Sequence, residues 1–216
     1  MRDYVYNPPT GPIPILYADG QVLAVNKPEG LLTVPGKGED KQDCLINRLR
    51  ADFPGVRLVH RLDTDTSGVV VFGLTHEAQA NLGQQFEKRK TDKTYVARVW
   101  GRMEQDEGRV DLPMIVDWPN RPRQHVNHET GKPAQTDWRV LERLENETRV
   151  ALIPLTGRSH QLRVHMAALG HPILGDDLYA EGPARDFPRM MLHAERLVVH
   201  QPGTGQKLEF HAPAPF

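Results

Sequence analysis

The run Gly68-Val69-Val70-Val71-Phe72-Gly73-Leu74 constrains this chain more than any other feature. It is short, uncharged and rich in β-branched residues, so it should be a buried strand. Such a strand needs paired neighbours, and the rest of the sequence supplies them largely as hairpins. Ile15-Leu16-Tyr17 and Val22-Leu23-Ala24-Val25 flank Asp19-Gly20, a good turn signal, before Asn26-Lys27-Pro28-Glu29-Gly30 breaks the strand. Residues 94–100 read as another strand. Residues 138–144 and 148–154 form a hairpin around Glu145-Asn146-Glu147, and residues 192–200 and 206–210 another around Pro202-Gly203-Thr204-Gly205. Three helices are expected. Residues 43–53 place Leu45, Ile46, Leu49 and Phe53 on one face. Thr75 caps a second helix with Ala78, Leu82 and Phe86 at intervals of four. Ser159 caps a third through Leu169, with Leu162, His165, Met166 and Leu169 inward and Gly170 as its stop. Strands outnumber helices, so an α+β fold is expected, a largely antiparallel mixed sheet flanked by helices and loops.

Residues 1–14, with Asn7-Pro8-Pro9-Thr10-Gly11-Pro12, read as an extended tail that wraps or frays. Residues 103–133 carry much proline, glycine, charge and histidine, and read as loops with short strands. The 216 residues suffice for one large domain or two small ones. A formal net charge of −1 excludes holding nucleic acid by bulk charge alone, so any such role must rest on local basic patches and a shaped site. The single cysteine, Cys44, excludes an internal disulfide and a cysteine-based zinc site, and lies in a segment where a buried structural role fits better than a nucleophilic one. No stretch approaches the roughly 18 apolar residues of a membrane span. The N-terminus lacks a hydrophobic signal core, so the cytoplasm is the expected compartment.

The segment His60-Arg61-Leu62-Asp63-Thr64-Asp65-Thr66-Ser67-Gly68 precedes the buried strand. A loop feeding a core strand is a rigid platform for a reactive group. In an extended stretch Arg61 and Asp63 face one side. On composition alone the segment reads equally as a surface loop whose Asp, Thr and Ser side chains make turn hydrogen bonds. A second acidic residue, Asp65, leaves open an acid/base pair of the glycoside-hydrolase kind, and a non-catalytic RNA-binding module also fits. His160, His165 and His171 invite a metal reading, but no flanking carboxylate or cysteine completes a convincing ligand set.

In order and spacing, several motifs resemble those of the RluA family of pseudouridine synthases. His60-Arg61-Leu62-Asp63 followed by Thr66-Ser67-Gly68 resembles the family signature, and Asn26-Lys27-Pro28 with Gly30-Leu31 its early loop. Lys93-Thr94-Tyr95 resembles its tyrosine motif. The run from Thr156 to His165, then Gly170-His171-Pro172-Ile173-Leu174-Gly175-Asp176, resembles its arginine motif, and Leu192-His193-Ala194 a further element. The resemblance spans residues 15–214. Short, dual-specificity members are the nearest match, through residues 116–122 and 129–136. It implies a pseudouridine synthase catalytic domain over residues 15–216, with no room before it for an S4-like domain. It implies uridines of a tRNA anticodon stem-loop and of 23S rRNA as substrates. No long exposed apolar helix face demands a partner, so a monomer is expected.

The resemblance also implies roles. Asp63 is the nucleophile, Asp65 a turn carboxylate, Arg163 the cation paired with the nucleophile, and Tyr95 the ring that stacks on the target base and takes a proton late in the reaction. A nearby cation keeps a carboxylate ionised and fixes its orientation. Arg61 is placed to fill the gap left by a flipped base, a job suited to a guanidinium plane. His60 orients the loop or serves as a structural histidine. The reaction has no net redox change or hydrolysis, so it demands no cofactor and no metal. From composition, Lys88, Arg89, Lys90 and Lys93 form one candidate RNA-binding cluster, and Trp118, Arg121 and Arg123 another. Arg158 contacts either phosphate or backbone.

Overall fold

The computed structural model describes residues 6–216. In chain order the elements are β1 (Ile15–Ala18), β2 (Val22–Lys27), α1 (Leu45–Leu49), β3 (Arg57–Leu58), β4 (Ser67–Gly73), α2 (His76–Glu87), β5 (Asp92–Trp100) and β6 (Glu107–Asp111). They continue with β7 (Met114–Val116), β8 (Gln124–Val126), β9 (Gln135–Arg143), β10 (Glu147–Pro154), α3 (Gln161–Ala168), β11 (Leu192–His200) and β12 (Lys207–His211). Strands dominate and helices are few, the α+β class expected. The chain divides into two compact units: one runs to Asp92 and includes Ala194–Pro215, the other is Lys93–His193 with Phe216.

In the first unit the strand order is β1-β2-β4-β11, with β12 beside β11 and β3 beside β4. The β1–β2 turn is held by Asp19, whose Oδ1 accepts the Gln21 and Val22 N–H groups at 2.7 and 2.6 Å. β2 and β4 run antiparallel, Val25 opposite Val70 and Lys27 opposite Gly68. Every residue of β4 is buried, as its β-branched run required. Val69 and Val71 pack with Val22, Ala24, Leu82, Leu197, Val199 and Phe210. Gly68 has φ +117°, and a Cβ there would lie 2.3 Å from the Ala194 carbonyl oxygen. Glycine is therefore obligatory at the entry to the strand. Thr75 caps α2 as expected, its Oγ1 accepting the Ala78 N–H at 3.1 Å.

One expectation in this unit needs correction. The first helix spans only Leu45–Leu49. Pro54 has no N–H to extend the ladder and biases Phe53 away from helical geometry. Cys44 is buried at the extended position before α1. Of the expected N-terminal tail, residues 1–5 lie outside the described residues. Tyr6 is buried, donating to the Asp43 carbonyl at 2.7 Å and accepting the Leu32 N–H at 3.0 Å, so the tail is tied down from that point.

In the second unit the order is β5-β10-β9-β6, with β7–β8 as a separate hairpin. α3 contributes Leu162 and Met166 to a core with Val99, Trp138, Leu152, Ile173 and Leu174. α3 ends at Gly170 (φ +83°). The Gly170 N–H bonds the Ala167 carbonyl and the His171 N–H the Met166 carbonyl, a Schellman stop as the sequence suggested. The start of α3 differs from expectation. His160 holds a left-handed conformation (φ 56°) between Ser159 and the helix, so Ser159 is not its cap. The Gln161 side chain instead ties the preceding loop to the helix, its Oε1 accepting the Arg158 N–H at 3.1 Å and the Thr156 hydroxyl at 2.6 Å. Leu169 is exposed rather than inward, because the helix closes at Ala168 before the stripe reaches it.

Candidate active site

In the first unit, the segment before β4 is fastened at nearly every residue. His60 Nε2 accepts the Val71 N–H at 3.0 Å, and its ring stacks on Phe86 with centroids 4.4 Å apart. This histidine therefore orients the loop through a structural role. Leu62 is buried, and its carbonyl accepts the Thr33 hydroxyl at 2.8 Å. Arg61 is exposed and Asp63 half-buried on either side of it, the alternation of an extended stretch. The Asp63 carbonyl accepts the Thr66 N–H at 3.2 Å, closing a turn with Thr64 and Asp65 at its corners. Asp65 thus occupies a turn position.

A residue whose role the sequence did not suggest lies beneath this turn. Lys27 is fully buried at the end of β2. Its Nζ donates to the carbonyls of Pro28 (2.9 Å), Leu31 (2.6 Å) and Thr64 (2.8 Å). The Thr64 carbonyl also accepts the Gly30 N–H at 2.9 Å. A buried ammonium tolerates its site only when surrounded by acceptors, and here one of them belongs to the residue that follows Asp63. The signal for it was Lys27 itself, a charge ending an otherwise apolar strand.

In the second unit, Tyr95 lies on β5 opposite Leu152, half-buried against the core. Arg163 is on α3 and 3% exposed. Its Nε and Nη2 form a two-pronged fork with Asp176, at 2.7 and 2.6 Å, and Nη2 reaches Asp177 at 3.3 Å. Its guanidinium carbon lies 5.2 Å from the centre of the Tyr179 ring. Asp176 ends the arginine motif with no role implied for it, and Tyr179 lies outside every motif. Burial pushes the Tyr179 phenol up to about 12, so its hydroxyl stays protonated at neutral pH. That hydroxyl accepts the Gln124 N–H at 2.8 Å and meets His160 Nδ1 at 2.8 Å.

The basic candidates fall into four settings. Lys88, Arg89 and Lys90 are exposed where α2 ends, and Lys88 and Lys90 line a groove of about 360 Å³ with Asn81, Gln84, His200 and Gln201. Lys93 is half-buried on β5. On the β7–β8 connection, Arg121 stacks at 4.4 Å over Trp118, which is 63% exposed, and Arg123 lies 5.3 Å from the Tyr179 ring centre. Arg158 is exposed and donates to the Pro133 carbonyl at 3.2 Å.

The three motif histidines serve separate local structures. His160 meets Tyr179, and His171 Nδ1 meets the Trp100 carbonyl at 2.8 Å. His165 is fully buried between the Thr136 hydroxyl at 2.9 Å and the Leu112 carbonyl at 3.2 Å. Burial lowers the His165 pKa, favouring the neutral ring.

Comparison with known proteins gives a consistent result. The family model described as RNA pseudouridylate synthase matches residues 21–168. The dual-specificity RNA pseudouridine synthase RluA of Escherichia coli (strain K12) is 55% identical over 214 residues, covering 98% of each chain. The enzyme of the same name from Yersinia pestis is 52% identical over 204 residues, covering 94% of this chain and 99% of that one. Among solved structures, human RNA pseudouridylate synthase domain containing 1 superposes with a TM-score of 0.79 at 33% identity, covering 100% of this chain and 87% of that chain. Human RNA pseudouridylate synthase domain containing 4 gives 0.77 at 25% identity, covering 94% and 88%.

Proposed function

This chain belongs to the RNA pseudouridylate synthase family and is an isomerase of uridine in RNA; from that premise we propose that it modifies a tRNA anticodon stem-loop and 23S rRNA, with Asp63 as its nucleophile. The reaction breaks the N1–C1′ bond of uridine and makes a C5–C1′ bond. A proton leaves C5 and one is gained at N1, so nothing is oxidised and no water is consumed. The proposed substrates follow from similarity to dual-specificity relatives.

The observation that carries the nucleophile assignment is the anchoring of its turn. Thr64 is held by Lys27 and Gly30, Thr66 returns to Asp63, and β4 behind is wholly buried. A carboxylate on such a platform keeps one orientation through a reaction in which it must form and release a bond. Attack on C1′, attack on uracil C6 and proton removal from the sugar are three ways it can act. In this reading Arg163 is its cation, Tyr95 stacks on the base and accepts the C5 proton, and Arg61 enters the stack that the flipped uridine leaves. Asp65 has its turn to support and no part in the chemistry.

We assign RNA grip to Lys88, Arg89, Lys90, Lys93, Trp118, Arg121, Arg123 and Arg158. Trp118 with Arg121 offers a stacking face beside a charge, and the lysines offer phosphate contacts. Residues 15–216 act as one catalytic domain behind the tail of residues 1–14, and the protein works as a monomer. No helix among the described residues is long and apolar enough to cross a membrane. In this reading the protein acts on its RNA substrates in the cytoplasm. Incubating the protein with an anticodon stem-loop transcript and with 23S rRNA, followed by chemical mapping of pseudouridine, tests the substrate assignment. Pseudouridine in both is expected. Product in neither overturns the assignment, and free uracil in place of pseudouridine favours a hydrolase.

A further inference from the structure

Arg163 is unusual among the described arginines in being almost wholly buried, and two residues with no role in the reading above hold it. Asp176 is 0% exposed, and all of its bonding capacity on one side goes to the guanidinium: Oδ2 accepts Nε at 2.7 Å and Oδ1 accepts Nη2 at 2.6 Å. Oδ1 also accepts the Leu178 and Tyr179 N–H groups at 2.9 and 3.1 Å. The carboxylate is therefore fixed by its own backbone before it fixes the arginine. Tyr179 closes the guanidinium face at 5.2 Å. Its hydroxyl is itself held by Gln124 at the start of β8 and by His160 at the start of α3.

We infer that Asp176 and Tyr179 are positioning residues, which clamp one edge and one face of the Arg163 guanidinium and so hold it in a single orientation for the reaction. The inference rests on the reading of Arg163 as the cation of the catalytic aspartate. Asp176 also pairs with the arginine at close range, so Arg163 acts as an oriented hydrogen-bond donor as well as a cation. An unclamped guanidinium on a flexible side chain samples several orientations, and misplacement of an orienting group by about 1 Å costs roughly 100-fold in rate.

The test is a double-mutant cycle on single-turnover pseudouridine formation, with a transcript that the unsubstituted enzyme modifies, in saturating enzyme. Asp176→Asn keeps an acceptor for the backbone N–H groups but cannot complete the fork. It should slow the chemical step about 100-fold and leave RNA affinity within about twofold, because Asp176 is sealed from solvent. In an Arg163→Lys background, which has no guanidinium to orient, the same substitution should cost less than about threefold. Equal losses in both backgrounds would show a purely structural role and overturn the inference. Arg163→Lys at full rate would instead remove the catalytic reading of Arg163, a separate failure. Thermal melting of each variant shows whether it is folded at the assay temperature. If Asp176→Asn does not fold, Tyr179→Leu leaves the fork in place and removes the face. It should slow the step about tenfold, with the same loss of effect in the Arg163→Lys background. A full rate for Tyr179→Leu, or an undiminished effect in that background, overturns the clamp.

Discussion

Replacing Lys27 by methionine deletes the buried ammonium at nearly constant volume, so the effect isolates its hydrogen bonds from any cavity. Three carbonyls lose a charged donor. Thr64 keeps the Gly30 N–H, and its energetic loss is small. The Leu31 acceptor is fully enclosed, and leaving it unmade costs about 1–3 kcal/mol, with a smaller cost at the partly accessible Pro28 carbonyl. Relief from burying an ammonium offsets part of this. A net loss of about 1–3 kcal/mol follows. For a chain of this length each kcal/mol moves Tm by about 2–4 °C, so a fall of roughly 2–12 °C is expected by circular dichroism. Below that melting point the variant is folded, yet the Asp63–Thr66 turn has lost a tie. Single-turnover pseudouridine formation should then drop at least tenfold while RNA affinity is kept. A Tm within about 2 °C of the parent, or a full rate at a temperature where the variant is folded, would refute the claim that Lys27 holds the turn.

Gly68→Ala places a Cβ 2.3 Å from the Ala194 carbonyl at a φ of +117°. It should destabilise the protein by more than about 3 kcal/mol in urea unfolding, and an unchanged midpoint would contradict the close approach. His165 has a pKa lowered from 6.5 by burial. The unfolded chain therefore binds the proton more readily, so stability present above pH 6.5 is lost as pH falls toward the folded-state value. His165→Gln should flatten that part of the stability–pH curve, measured by urea midpoints across the range. Arg121→Ala should weaken RNA binding and reduce the slope of log K against log salt by about one. An unchanged slope removes Arg121 from the phosphate contacts.

The sheet was legible because its signals are local. The β-branched run of β4, the Asp19-Gly20 turn and the Glu145-Asn146-Glu147 turn each specify their own geometry. Thr75 and Gly170 marked helix ends for the same reason. The failures at helix ends came where an adjacent residue overrides the local preference. Ser159 has the chemistry of a cap, but the left-handed His160 intervenes between it and α3. Residues 50–53 have helical periodicity, but Pro54 ends the ladder early. Within the candidate site, Asp63, Tyr95 and Arg163 were found through motifs. Lys27, Asp176 and Tyr179 were not assigned roles, because a supporting residue is defined by what it touches: Lys27 by a carbonyl 37 positions away and Asp176 by an arginine 13 positions away. No spacing rule reaches that far.

Asp63→Asn changes one atom of the proposed nucleophile and leaves the backbone bonds of its turn intact. Single-turnover pseudouridine formation by this variant, with RNA binding and thermal melting measured in parallel, is the most direct test of the central claim. The expected result is a folded protein that binds the RNA at near-parental affinity and forms no detectable pseudouridine. Pseudouridine formation at a rate near the parent's would contradict it.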